Sequence, residues 1–541
     1  MTGASLEAPQ PVRLSPGAMA GLVALLLLHA VLAWLIREPG ITVRNDDALY
    51  VLLARSLGGG HFLDQHLQGA PPHALYPPGY PALLLLIGWL GGERLDLFLG
   101  VNILLSAASL ALTFDLVRRR WSVATAFLVL GALVANNSLV RYAGSLVSEP
   151  AYLFLSTLVL WLLSRGRADA RTLTLATVVA IAAGLTRNVG VVLLAAMVAW
   201  LLLERRYRAA FLVGLAGGMV LGGWLLRVFL LPDEFRTVGR SYAEDVERMM
   251  DRGGRYFLFK RAKIGVVYAT THLPQSLPVP AVSQTNSSLE VWGWLLAAVI
   301  PFGLIAWWRR RWRLAAMYVV GYLLLLGLWR MSSPRFLAVL LPLLVIAVLL
   351  PFAEWLGSRR RRLGAGIAAT LTLLFALRGF ELWREDWVAI RDCDRSQPLG
   401  PTPCFNEDAR AFFRLAERSA AVVPPEGVVL TAREATFAYY SGRTAWYLNT
   451  AFSPDSLNIL PGLRRRGIGW VLLGHTHTSE PGALAPALAQ GCDRLDLALV
   501  ESPRSALFRV RADAEGPGNG EACRALEAYR ADSTPVPRSR K

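Results

Sequence analysis

Apolar stretches of about 17–25 residues recur along this chain, each long enough as a helix to cross a hydrocarbon layer. The gaps between them are dense in arginine. In lipid a backbone satisfies its own hydrogen bonds only as helices or as a closed barrel. The pattern therefore predicts a multi-pass α-helical membrane protein. Composition agrees: of 541 residues, 54% are hydrophobic and only 18% are charged, too apolar for a soluble chain of this length. The formal charge of +17 does not argue for nucleic acid. The arginines sit in short runs between apolar segments, where cytoplasmic loops collect them.

About eleven spans follow, near residues 16–36, 95–116, 124–140, 151–163, 173–185, 189–203, 211–231, 291–308, 315–329, 336–352 and 364–377. The dense runs Arg118–Arg120, Arg205–Arg206, Arg309–Arg311 and Arg359–Arg362 then all fall on one side, with the N-terminus. The positive-inside rule assigns that side to the cytoplasm. The first span is too long for a signal-peptide core and is read as a retained anchor. This organisation gives a membrane domain over 1–377, with a first outer loop at 37–94 and another at 232–289. The outer loop holds two helix-like pieces, 47–57 and 81–90, the second too short to cross.

Residues 378–541 form an extracytoplasmic tail of different character. Glu407–Val422, Asp455–Arg465 and Gly482–Ala489 read as helices. Gly427–Thr431, Gly467–Gly474, Leu495–Val500 and Ser505–Val510 read as short strands, so a small α/β domain is expected. All four cysteines, Cys393, Cys404, Cys492 and Cys523, lie here. Three pairings exist. Outside the cytoplasm disulfides are expected, with the short-loop pairing favoured over four free thiols.

The residues able to do chemistry gather on the outer side. Asp46 and Asp47 stand just after the first span. A carboxylate there can take a proton from a hydroxyl, or simply cap the helix that begins at Ala48. Tyr76-Pro77-Pro78-Gly79-Tyr80-Pro81 forbids helix and turns sharply, placing Tyr76 and Tyr80 at an interface. His61, His66 and His73 share that loop, as metal ligands or as surface histidines, although their spacing matches no standard site. Glu149, in Ser148-Glu149-Pro150, is either a helix start or a second outer acid. Arg187 separates two short half-spans. A buried guanidinium at such a depth usually faces a cavity or partner and suits a phosphate. Arg330 and Arg335 flank another outer turn. In the tail, Tyr439–Arg443 and His475-Thr476-His477 stand out, the histidines either on one strand face or in a turn after a strand. No cofactor is firmly predicted, and a divalent metal is left open.

These elements, in this order, resemble GT-C membrane glycosyltransferases. Asp46-Asp47-Ala48-Leu49-Tyr50 resembles that superfamily's first-loop acidic element, and Tyr76–Pro81 its proline-rich element. Ser148-Glu149-Pro150 resembles its second acidic element. Thr186-Arg187-Asn188 and Ser333-Pro334-Arg335-Phe336 resemble two later basic elements. The likeness is to the bacterial branch near protein O-mannosyltransferases and lipid A aminoarabinose transferases, over roughly residues 15–350. It implies an inverting hexosyl- or pentosyltransferase of the inner (plasma) membrane. Such an enzyme takes a sugar from a polyprenyl-phosphate to a lipid, glycan or protein acceptor. Asp46 would be the base and Asp47 its supporting carboxylate. Glu149, Tyr76 and Tyr80 would bind substrate, and Arg187 and Arg335 the donor phosphate. The proline element has tyrosine where the aminoarabinose branch has lysine, so the donor sugar is not carried over. A transporter or flippase of a lipid-linked anion is the rival reading, since broken short spans and Arg187 suit it too.

Overall fold

Helices account for most of the described residues up to Ile390 in a computed structural model. It describes residues 14–164, 169–231, 257–279, 286–329, 332–355, 357–400, 402–448, 459–512, 515–518 and 520–532. Arg330, much of the 232–289 loop and the start of the expected 455–465 helix lie outside these.

The helices up to the middle of the chain are α1 (Pro16–Leu35), α2 (Asp46–Gly58), α3 (Gly79–Gly91), α4 (Leu95–Arg120), α5 (Val123–Val134), α6 (Asn137–Ala143), α7 (Glu149–Leu163), α8 (Ala170–Thr186), α9 (Val191–Leu203) and α10 (Tyr207–Phe229). Later ones cover Asn286–Arg309, Arg313–Leu328 and Leu341–Trp355, the last preceded by a 3₁₀ turn at Pro334–Leu340. Each of the apolar stretches read as a span is helical. Six helices among the described residues are individually long and apolar enough to cross a membrane. Others, α7, α8, α9 and Arg313–Leu328 among them, are shorter.

Two expectations need correction. The third span is not continuous. It breaks after Val134, and α5 and α6 meet at a 66° bend. Asn136 makes the break by capping α6 through Leu139 N while donating to the Ser276 carbonyl. The last span does not stop near Leu377, because its helix runs from Gly357 to Ile390.

The arginine-rich ends gather at one end of the bundle. Arg118 and Arg119 both bond Asp115 at 2.5 Å, and Trp121 packs edge-on against Trp312. The first outer loop lies at the opposite end.

There the tail folds as a five-stranded sheet in the order β2-β1-β3-β5-β4. The strands are β1 (Val428–Thr431), β2 (Thr444–Tyr447), β3 (Trp470–Leu473), β4 (Leu495–Ser502) and β5 (Ser505–Val510). β1 is parallel to both β2 and β3, while β5 is antiparallel to β3 and β4. β1 is buried along its whole length, as a central strand covered on both faces should be. Helix Glu407–Val422 packs Phe412 and Phe413 onto the sheet. Disulfides join Cys393 to Cys404 and Cys492 to Cys523, the short-loop pairing.

The tail and the first outer loop are joined. Leu67 pairs in parallel with Ala445, extending the β2 edge. The Asn45 side chain accepts from the backbone of Ala435 and Thr436, at 3.0 and 3.1 Å. It thus caps the tail helix Glu434–Ser441 from across the interface. Tyr440 bonds the Ile41 carbonyl and Arg55 lies over the Tyr439 ring, so these two tyrosines serve the joint.

Candidate active site

Asp46 and Asp47 open α2, where carboxylates suit the positive helix end. One helical residue is a turn of about 100°, so their side chains diverge. Asp47 is fully buried, accepting from Thr42 N at 2.6 Å and from Ala48 N at 3.0 Å. Burial pushes its carboxyl above the ordinary range, against the pull of the Arg44 guanidinium and those amides. The contacts of this expected supporting carboxylate are to its own loop. Asp46 points toward the bundle. Its Oδ1 accepts from the Tyr76 hydroxyl at 2.8 Å, and its Oδ2 from Arg335 Nη1 at 2.5 Å.

Arg335 connects the rest. Ser333 caps the 3₁₀ turn that carries it, accepting from Arg335 N. The guanidinium grips Glu149 through Nε and through Nη2, the latter at 3.1 Å. Arg187 reaches the same Glu149 carboxylate at 2.6 Å and the Ser148 hydroxyl at 3.2 Å. Tyr50 also reaches Ser148, at 3.2 Å. Arg187 projects from the break between α8 and α9, as its position between half-spans predicted. The Glu149 side chain is 3% exposed, Arg187 14%, Arg335 20% and Asp46 25%. The cluster is therefore dry at Glu149 and opens at Asp46.

Gly79 allows this closeness. A Cβ there would stand 2.6 Å from the Leu185 carbonyl oxygen, so only glycine lets α3 start against the end of α8. Asn188, beside Arg187, completes the contact by donating to Leu75 O and accepting from Trp224.

Five of the expected residues, Asp46, Tyr76, Glu149, Arg187 and Arg335, form one connected cluster. Tyr80 does not join it. It is fully buried rather than at an interface; its hydroxyl accepts from Asn102, and its ring stands edge-on to Tyr50. Tyr50 and Ser148 were not singled out, although both lie inside the motifs quoted for their neighbours.

His66 and His73 are buried, not on the surface, while His61 is exposed. His73 pairs with Asp64 at 2.7 Å. Among the described residues no three His, Cys, Asp or Glu side chains gather closely enough to hold a metal ion. His475 and His477 lie in the turn after β3, bonded to Asp408 and Ser479, and take no part in the cluster.

No protein-family model and no curated protein matches the chain. Solved structures do. ArnT from Cupriavidus metallidurans bound to undecaprenyl phosphate is similar at a TM-score of 0.54 and 14% identity, over 93% of this chain and 100% of that one. The archaeal oligosaccharyltransferase AglB from Archaeoglobus fulgidus, in complex with an inhibitory peptide and a dolichol-phosphate, gives 0.56 at 12% identity, over 95% and 78%. At these identities the likeness is one of fold, and it extends over more than nine-tenths of this chain.

Proposed function

We propose that this protein is an inverting glycosyltransferase. It moves a hexosyl or pentosyl group from a polyprenyl-phosphate to a lipid, glycan or protein acceptor at the outer face of the inner (plasma) membrane. The observation that carries this is Arg335 bridging Asp46 and Glu149, with Arg187 on the same glutamate. A carboxylate open to solvent stands beside two guanidiniums fixed by a buried acid. Structures of the same fold carrying undecaprenyl phosphate or dolichol-phosphate support a lipid-phosphate donor. The two disulfides support an oxidising, extracytoplasmic side for the tail. Eleven crossings with the N-terminus inside would put the acidic–basic cluster on that side too.

The proposed step is a single displacement. Asp46 takes the acceptor hydroxyl proton as the oxygen bonds to the anomeric carbon. The bond from that carbon to the phosphate oxygen breaks, and the electron pair leaves with the lipid phosphate, which gains one negative charge. Arg187 and Arg335 stabilise that charge where it develops. Guanidinium has five N–H donors, and the two carboxylates engage three from Arg335, leaving two for phosphate. A donor that draws Nη1 away from Asp46 leaves Tyr76 as its remaining hydrogen-bond partner among the described residues and frees the base to act. Asp47 supports the loop, and Tyr80 supports Tyr50.

The test is transfer of labelled sugar from polyprenyl-phosphate in proteoliposomes. Asp46→Asn should lower kcat by about 10²-fold or more, with the donor still bound. Full activity in that variant would sink the assignment. Movement of the lipid-linked anion across the bilayer without sugar transfer would favour a flippase instead.

A further inference from the structure

The first outer loop holds a second buried polar pair that the reaction as written does not use. Asp64 and His73 are 4% and 2% exposed. His73 Nδ1 lies 2.7 Å from Asp64 Oδ1, and Nε2 lies 2.8 Å from the backbone nitrogen of Tyr76. An amide N–H only donates, so Nε2 must offer its lone pair. The ring proton then sits on Nδ1, facing Asp64. Two neighbours thus fix one tautomer.

The pair is itself anchored. Asp64 N donates to Pro71 O at 2.8 Å and His73 N to Phe62 O at 3.1 Å. Arg227, from α10, donates to the His73 carbonyl at 2.9 Å. The sequence shows why a side chain is used. Pro77 and Pro78 carry no N–H, so the Tyr76 amide is the one backbone donor in this three-residue turn. The imidazole is its acceptor. At the other end of the same residue, the Tyr76 hydroxyl meets Asp46 Oδ1 at 2.8 Å.

We propose that Asp64 and His73 are positioning residues for the reaction. They hold the Tyr76 backbone so that its hydroxyl fixes and polarises the Asp46 carboxylate. The inference rests on Asp46 being the base. Both residues bond outside the acidic–basic cluster and reach it through Tyr76. Their effect passes through Tyr76 alone, which makes it separable from a general role in folding.

The experiment uses the full chain in proteoliposomes with labelled polyprenyl-phosphate sugar. His73→Asn keeps a donor toward Asp64 and removes the acceptor for Tyr76 N–H. His73→Gln brings a carbonyl oxygen to the Nε2 position and gives up the Asp64 side. His73→Asn should lower kcat about tenfold with KM for the donor within about twofold, and His73→Gln should recover most of that loss. In a Tyr76→Phe background, His73→Asn should cost less than about twofold more, because the path is already cut. Asp64→Asn, which still accepts from Nδ1, gives the same comparison if His73→Asn does not fold, with a smaller loss.

A His73→Asn loss that is undiminished in Tyr76→Phe overturns the proposal. So does a loss confined to KM, or one equal in the Asn and Gln variants. If Asp46→Asn inactivates while His73→Asn leaves kcat unchanged, the inference fails and the reaction stands. Activity retained in Asp46→Asn removes the reaction itself.

Discussion

Two adjacent aspartates divide two tasks that the sequence allowed to either. Asp47 accepts backbone amides within its own loop, and Asp46 faces Arg335 and Tyr76. The residue types were legible, as was the order Asp46, Glu149, Arg187, Arg335. The residues alone left the two aspartates equivalent, because their directions depend on how α2 is docked; the family resemblance was what singled out Asp46. Arg335 is expected to be irreplaceable by lysine. A single ammonium cannot grip Glu149 in two places and reach Asp46 as well. Arg335→Lys should cost about 1.5–3 kcal/mol of transition-state stabilisation, read as the fall in kcat/KM; unchanged kcat/KM would refute the bridge. His66 supplies a pH prediction. Burial lowers it from 6.5 to about 4, so the folded loop keeps it neutral while the unfolded chain protonates it. Its contribution is complete above pH 6.5 and is lost as pH falls toward 4, on the order of 3 kcal/mol in all. Thermal unfolding of His66→Gln across that window should show a flatter pH dependence than the native protein. An identical slope would count against it.

At the scale of elements, apolar length and strand patterns located the apolar helices and four of the five strands. The misses share one cause, a partner distant in sequence. Asn136 breaks a span because Ser276, 140 residues on, accepts its amide. β2 has only four residues, Thr444–Tyr447, and owes its register to β1 on one side and to Leu67 of the outer loop on the other. No local period announces either. Gly79 is the element-level site most open to test. A methyl group there meets the backbone at Leu185 and Thr186, which no side-chain rotation relieves. Gly79→Ala should separate α3 from α8, destabilise by about 1–3 kcal/mol, and displace Arg187. Melting temperature and KM for the donor should shift together. A shift in neither would mean that the two helices have slack.

On the scale of the whole molecule, the tail is part of the outer loop's support. Asn45 caps the tail helix while the next residue offers the candidate base. Removing that cap by Asn45→Ala should cost about 1 kcal/mol. A chain ending at Ile390 should keep its helices but lose protection of residues 37–94 from protease. Equal protection would show that the loop stands alone. This joint also sets an order of events during synthesis. Asn45 and Glu434, which share a hydrogen bond, are 389 residues apart. At translation rates of 5–20 residues per second, the loop waits roughly 20–80 s for its partner. During that interval the helix that carries Asp46 lacks the tail that fixes it. A ribosome stalled before residue 434 would leave Asp46, Glu149, Arg187 and Arg335 all synthesised and Asn45 without its tail partner. The loop that carries the candidate base thereby stays unsupported until the last domain has been made.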